Sequence, residues 1–401
     1  MNKVYYAEAV YNHKEINAVT KVLKTQRLSL MDGKNVKIFE SKISKLFGKK
    51  FGLMVNSGSS ANLLALASLN LNPKSEIITP TLTFSTTVAP IYQLGFIPKF
   101  IDVEEGKFVA NLDQLKKAIT SKTKAIMIPN LLGNIPDWRK IKSICKKNNI
   151  IIIEDSADTL GYKINNTIQG KCSDIVTTSF YASHIVTGAG FGGMVCFNNE
   201  KFYNKAKLLR AWGRSSAIYN ENENIEQRFK KNEFNFDYDK KYIFTDFGYN
   251  FIPSEISAAF GLEQLKKLNK NHSIRRMNFN LLSSFFYKYK NFFKLPIQEK
   301  FIKTAWLAFP LVIKQNNLFN RKQLQIFLEK NNIQTRTIFS GNILKQPLMN
   351  KKQYFKVNNC DIQSNDVMRN GLLIGCHHGL DKKNLRYMTK TFDNFFKSIL
   401  N

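Results

Sequence analysis

Three carboxylates and an imidazole stand where short apolar runs give way to polar residues. The run Ile150–Ile153 ends in Glu154-Asp155-Ser156-Ala157-Asp158. A carboxylate at the end of a hydrophobic run is costly to bury unless it holds a cation, and a protonated pyridine nitrogen is one such cation. Further on, Ser179-Phe180-Tyr181-Ala182-Ser183-His184 carries a hydroxyl and, five residues later, a histidine, a good general base near neutral pH. Behind it runs the glycine-rich turn Thr187-Gly188-Ala189-Gly190-Phe191-Gly192-Gly193. Upstream, Asn56-Ser57-Gly58-Ser59-Ser60-Ala61 sits between a strand-like and a helix-like run. Small residues there let backbone N–H groups and hydroxyls meet an anion at the positive end of a helix. Taken alone, that segment equally fits an ordinary helix cap. Thr79 to Thr87 sets one aromatic, Phe84, among hydroxyls; a lone Phe is by default a core residue.

The elements that position these groups alternate. Apolar strand patterns at Phe51–Val55, Glu76–Thr79, Phe96–Ile101, Ala125–Pro129, Ile150–Glu154 and Gly193–Phe197 are interleaved with helical patterns such as Ser60–Leu69 and Asp137–Lys147. Continuously apolar strands separated by helices predict a mainly parallel sheet covered on both faces, with function at the strands' carboxyl ends. After Phe251 the texture changes. Helices are expected at Glu255–Lys267, Arg275–Tyr289 and Arg321–Lys330, and strands at Ala308–Ile313 and near Gln334–Phe339. The division expected is a large domain over residues 1–250, with an N-terminal helix, and a smaller C-terminal α/β lobe over 251–401. Residues 218–241, rich in Asn, Glu and Lys, predict an exposed insertion loop.

Composition narrows the class. The hydrophobic fraction of 43% is that of a globular protein. Sixty Lys and Arg against 30 Asp and Glu invite a nucleic-acid reading, but Lys, Asn, Ile and Phe are abundant together, as AT-rich coding produces, and the basic residues form no long tract. A positive field would still draw anionic substrates inward. The five cysteines include no Cys-x-x-Cys or Cys-x-Cys pair, against a zinc ribbon or a disulfide framework. No apolar run reaches signal-peptide or membrane-span length, so a cytoplasmic protein without membrane or nucleic-acid partners is expected.

In order and spacing these segments resemble the DegT/DnrJ/EryC1/StrS sugar aminotransferase family over about residues 10–400. Leu94–Val103, Asn130-Leu131-Leu132-Gly133-Asn134 and Asp246-Phe247-Gly248-Tyr249-Asn250-Phe251 add to the match. The resemblance implies an α/β protein of the type I fold of pyridoxal-phosphate (PLP)-dependent transferases. It implies that Ser59, Ser60 and Ser179 hold the cofactor phosphate, that Phe84 stacks on the pyridine ring and that Asp155 pairs with the ring N–H. Asn250 would reach the phosphate in a neighbouring subunit's site, which makes the protein a homodimer.

His184 departs from the family's pattern. The usual residue five positions after the serine is a lysine, whose amine bonds the cofactor and shuttles the proton. The histidine is shared with a subfamily, the nucleotide-sugar 3-dehydratases. A second departure, Asp158 where aminotransferases carry glutamine, points the same way. The segment Gly375-Cys376-His377-His378-Gly379-Leu380 also resembles that subfamily, with His377 or His378 as substrate contacts. One branch carries an iron–sulfur cluster with a close Cys-x-Cys pair, absent from this sequence, so no cluster and no metal are expected. The other branch acts on a GDP-linked 4-keto-6-deoxy-sugar. The resemblance therefore implies C3 dehydration with pyridoxamine phosphate (PMP), His184 as base, and L-glutamate restoring the amine form. An aminotransferase of the same family, and a catalytically silent scaffold of the same fold, remain open as alternatives; so does Lys163 or Lys171 standing in for the lysine.

Overall fold

The computed structural model describes residues 3–27, 30–219, 225–229, 234 and 236–400. Much of the expected insertion (220–224, 230–233 and 235) lies outside the described residues.

The first half of the chain carries strands β1 (Phe51–Val55), β2 (Glu76–Pro80), β3 (Ile97–Ile101), β4 (Thr123–Pro129), β5 (Ile151–Asp155), the short β6 (Lys163–Ile164) and β7 (Thr167–Ile168), β8 (Ile175–Ser179) and β9 (Gly193–Phe197). Around them run α1 (His13–Thr25), α2 (Lys34–Leu46), α3 (Gly58–Ala67), α4 (Ser85–Gln93), α5 (Leu112–Ala118), α6 (Trp138–Lys146), α7 (Glu200–Arg210) and the short α8 (Ser216–Tyr219) and α9 (Ile225–Arg228). The second half adds α10 (Glu255–Lys266), α11 (Leu268–Tyr287), β10 (Phe293–Lys294), β11 (Ile302–Lys303), β12 (Phe309–Ile313), α12 (Arg321–Lys330), β13 (Phe355–Lys356), α13 (Ile362–Asn370), β14 (Gly371–Ile374) and α14 (Lys382–Leu400).

Eight strands form one sheet in the order β1-β9-β8-β5-β4-β2-β3-β13. From β8 to β13 every pairing is parallel; only β9 runs against its neighbours β8 and β1. The crossovers bring the carboxyl ends of β1, β2, β4, β5 and β8 to one edge, and Ser59, Ser60, Phe84, Asp155, Asp158, Ser179 and His184 stand at or just after those ends. Local chemistry starts the helices there: the Ser57 hydroxyl accepts the Ser60 N–H at α3, and Asp137 accepts the Lys140 N–H at α6.

A small antiparallel sheet, β10-β12-β14, packs with α11, α12 and α14 around a core of Phe286, Phe309, Leu324 and Phe392. Contacts cross the boundary expected at residue 250. Glu255 of α10 is buried and accepts the Asn35 and Val36 amide hydrogens at the start of α2, which ties that helix to the large sheet. Val4 lies in the small lobe's core, and β13 forms the far edge of the large sheet. The strand expected near Gln334–Phe339 is reduced to isolated bridges at Ile333 and Arg336, and the chain turns at Phe339 with φ +48°. In the other direction β8 was not anticipated: its run of Thr177, Thr178 and Ser179 hides a strand buried along its whole length.

Candidate active site

Asp155 closes β5 and is 5% exposed. Its Oδ2 accepts from Asn62 Nδ2 at 2.9 Å and from the Thr87 hydroxyl at 2.9 Å, while Oδ1 accepts the Ala157 N–H at 3.2 Å. The orientation of Asn62 is set by Thr177, whose hydroxyl donates to its Oδ1 at 2.6 Å. Burial raises the Asp155 carboxyl above its ordinary range, and the three donors oppose that shift without cancelling it. All three are neutral, so a cation arriving from outside the chain is what this carboxylate suits. Alternation along β5 sends Glu154 to the opposite face, where it accepts from Asn130 Nδ2, Ser156, Tyr162 and Ser173 and fixes the loop from behind.

The loop after β1 forms a cradle beside it. Two glycines make the approach possible. A Cβ on Gly58 would lie 2.5 Å from Ser179 Cβ, and one on Gly193 would lie 2.3 Å from the Ser57 carbonyl oxygen. Ser179 therefore stands directly against the first turn of α3, whose positive end receives anions. Ser59 is exposed there, whereas the Ser60 hydroxyl is engaged inside the loop, with Asn56 at 2.7 Å and Ser57 at 2.9 Å. Phe84 is 51% exposed at the rim after β2 and meets Phe339 edge-on at 6.3 Å. An anion cradle, an exposed aromatic face and a buried carboxylate along one sheet edge fit a flat pyridinium ring with a phosphate arm.

His184 and Asp158 come together at the same edge. The imidazole Nε2 lies 3.8 Å from Asp158 Oδ1, with side-chain exposures of 16% and 7%. Asp158 Oδ2 accepts the Leu132 N–H at 2.8 Å. Burial pushes the Asp158 carboxyl up to about 7 and the His184 imidazole down to about 4. His184 Nδ1 is buried without a hydrogen-bond partner. A neutral imidazole with one nitrogen facing a carboxylate and the other free can take up a proton.

The remaining candidates fall elsewhere. His377 is fully buried, its Nε2 lies 3.2 Å from the Tyr5 carbonyl, and its Nδ1 accepts the Gly379 N–H at 3.2 Å. Both nitrogens are committed to backbone, which gives the ring a structural task in place of the substrate contact expected from sequence. The His378 ring nitrogens are buried and unpartnered, and burial, together with Arg275, holds the imidazole down to about 3. Asn250 is exposed and forms a backbone bridge with Ala211. Residue type alone does not single out Asn62, Thr87 and the Leu132 amide, although Thr87 closes the hydroxyl-rich Thr79–Thr87 segment and Asn62 follows Ser59 by about one helical turn. Among the described residues, no three His, Cys, Asp or Glu gather to hold a metal ion, and no helix is long and apolar enough to cross a membrane.

Known proteins are similar to this chain over most of their length. The GDP-4-keto-6-deoxy-D-mannose 3-dehydratase of Escherichia coli O55:H7 is 33% identical over 378 residues, covering 92% of this chain and 94% of that one. A dTDP-4-dehydro-2,6-dideoxy-D-glucose 3-dehydratase from Saccharopolyspora spinosa is 32% identical over 398 residues, with coverages of 95% and 84%. The solved E. coli GDP-4-keto-6-deoxy-D-mannose-3-dehydratase with bound hydrated PLP matches with a TM-score of 0.86 at 30% identity, over 98% of this chain and 99% of that one. A family model spans residues 10–393, and with it the sheet-edge cradle, the buried carboxylate and the histidine: the chain belongs to the DegT/DnrJ/EryC1/StrS aminotransferase family.

Proposed function

We propose that this protein is a PLP/PMP-dependent dehydratase that removes the C3 hydroxyl of a nucleotide-linked 4-keto-6-deoxy-hexose, with GDP as the nucleotide and L-glutamate as amino donor. The observation that carries the reading is His184: a neutral base, faced by a carboxylate, in the place of the family's lysine.

When bound, pyridoxamine phosphate supplies an amine for the C4 ketone and a ring that accepts an electron pair. The protein's part follows from its geometry. The first turn of α3 and Ser179 hold the phosphate, and Asp155 keeps the ring nitrogen protonated. His184 takes a proton at its free nitrogen and returns it to the C3 hydroxyl, which leaves as water. A histidine offers no amine to bond an aldehyde, so it would leave a bound cofactor untethered and act as base alone. Asn250, exposed beside the bridge to Ala211, suits a reach into a partner's site in a cytoplasmic homodimer.

The test is a reaction of purified protein with PLP, L-glutamate and GDP-4-keto-6-deoxymannose, with products read by mass spectrometry. The expected product is lighter than the starting ketone by one oxygen, with ammonia released. A stable amino-sugar would overturn the assignment in favour of amino transfer.

A further inference from the structure

We infer that Asp158 is a positioning residue that holds His184 as its Nε2–H tautomer, which makes Nδ1 the nitrogen that moves the proton. The inference rests on the dehydratase reading for the identity of the reaction, but the tautomer is a property of this chain alone.

Leu132 has φ +61°, a left-handed conformation that costs a leucine energy and persists only where the surroundings impose it. Those surroundings are defined on both sides. On one side the Leu132 N–H donates to Asp158 Oδ2 at 2.8 Å. On the other, the Leu132 carbonyl accepts the Leu307 N–H at 2.8 Å and the Gly133 carbonyl accepts the Thr304 hydroxyl at 2.7 Å. A Cβ on Gly133 would come within 2.7 Å of the Ala305 carbonyl oxygen, so only glycine lets this segment seat. Segment 305–307 is gripped in turn by the buried Arg275, whose Nη1 donates to the Trp306 and Leu307 carbonyls at 3.2 and 3.0 Å.

This chain of contacts leaves Asp158 one rotational choice. With Oδ2 taken by the Leu132 amide, Oδ1 faces His184 Nε2 at 3.8 Å. An ionised carboxylate is an acceptor only, so the imidazole edge turned toward it carries the hydrogen. The opposite nitrogen, Nδ1, is then left with its lone pair, and it is the one buried without a partner. When Nδ1 gains a proton, the electron pair of the broken C–H bond stays with the carbon side. The resulting imidazolium keeps Nε2–H against the Asp158 carboxylate, which offsets the cost of placing charge there. Proton return from Nδ1 restores the starting state. Two further groups bear on His184: the Ser179 backbone favours the imidazolium, and Arg275 disfavours it, which makes the carboxylate's orientation and charge more important.

Asparagine at position 158 gives a sharp test because Leu132 dictates how it sits. Its carbonyl oxygen must face the Leu132 N–H, so its NH₂ faces His184 Nε2 and forces the hydrogen to Nδ1. Alanine removes both contacts and leaves the tautomer unforced. If Asp158 merely held the loop, Asp158→Asn, which keeps the Leu132 bond, would be the milder change; on the present inference it is the more damaging one. The experiment uses the PLP-reconstituted protein with ¹⁵N-labelled histidine, the five ring systems being resolved by comparison with His184→Asn. Ring-nitrogen shifts report the tautomer, and stopped-flow absorbance reports cofactor conversion by L-glutamate. The expected result is Nε2–H in the unmodified protein, Nδ1–H in Asp158→Asn, and conversion slowed about 10²–10⁴-fold in Asp158→Asn and less in Asp158→Ala, the scale of general-base loss and of a comparable carboxylate-to-amide change in serine proteases. Nδ1–H in the unmodified protein, or Asp158→Asn within twofold of it and better than Asp158→Ala, overturns the inference. The tautomer pattern in the absence of any deoxygenated product would overturn the dehydratase reading and leave this assignment standing.

Discussion

Burial separates the titrations of the two groups at the base, and that separation predicts how the rate responds to pH. His184 is pushed down to about 4 and Asp158 up to about 7, both chiefly by desolvation. The groups facing Asp158 are the Leu132 amide, His184 and the Asp155 carboxylate, which adds to the upward push; those facing His184 are the Ser179 backbone, which favours the protonated ring, Asp158, Arg275 and the Tyr181 ring at 6.0 Å. Above about 7 both groups are in their working forms, carboxylate and neutral imidazole. As pH falls through about 7, Asp158 gains a proton and ceases to be an acceptor, while His184 stays neutral until about 4. The acid limb of kcat is therefore expected near 7, and it should vanish in the residual activity of Asp158→Asn. A limb near 4 that survives the substitution would assign the titration to His184 itself. Asp155 stood out in the sequence because a carboxylate closes an apolar run, and His184 because it departs from the family's motif. The Leu132 amide did not, since a backbone donor carries no signature of residue type. Nor did Asn62 and Thr87, whose approach to Asp155 is made by two separate helices.

At the scale of elements, the site is the meeting of five strand ends with one helix start, and the tightest tolerance lies between α3 and β8. Gly58 opens α3 with no room for a side chain, because Ser179 Cβ occupies the place a Cβ would take, at 2.5 Å. In Gly58→Ala either the helix start or Ser179 has to move, and overpacking of this kind costs about 1–3 kcal/mol. The strain falls on the phosphate cradle, so the affinity for PLP should drop about 10–100-fold, with a smaller change in the melting temperature of the cofactor-free protein. Titration of the apoprotein with PLP, followed by absorbance, measures the first quantity, and thermal melting the second. Unchanged affinity would show that the first turn of α3 does not carry the phosphate. The alternation of strands and helices was visible in apolar periodicity because parallel strands are buried on both faces. The hydroxyl-rich β8 escaped that pattern although it lies between β5 and β9 in the sheet.

Across the whole molecule, the change of sequence texture near residue 250 suggested a boundary that packing does not respect. The chain passes between the lobes repeatedly: Val4 exchanges backbone hydrogen bonds with Asn332 and Gln334 at 2.8 Å, β13 returns to the edge of the large sheet, and Trp306 and Leu307 enter different cores side by side. A sequence read locally misses this, because each crossing is made by a few residues whose partners lie far away along the chain. The consequence is measurable. A fragment ending at residue 250 loses α10, and with it the Glu255 carboxylate that receives the Asn35 and Val36 amides at 2.9 and 2.8 Å, so the start of α2 is left with bare donors. It also loses β13 from the sheet edge, the partner of β6, and the 304–307 segment that holds the turn beneath Asp158. The intact chain is expected to unfold in urea with coincident loss of circular dichroism and of bound-cofactor absorbance. The 1–250 fragment is expected to show no cooperative transition and no PLP binding. A fragment that unfolds cooperatively and binds PLP would mean the large sheet is self-sufficient and the crossings between lobes serve only to orient them.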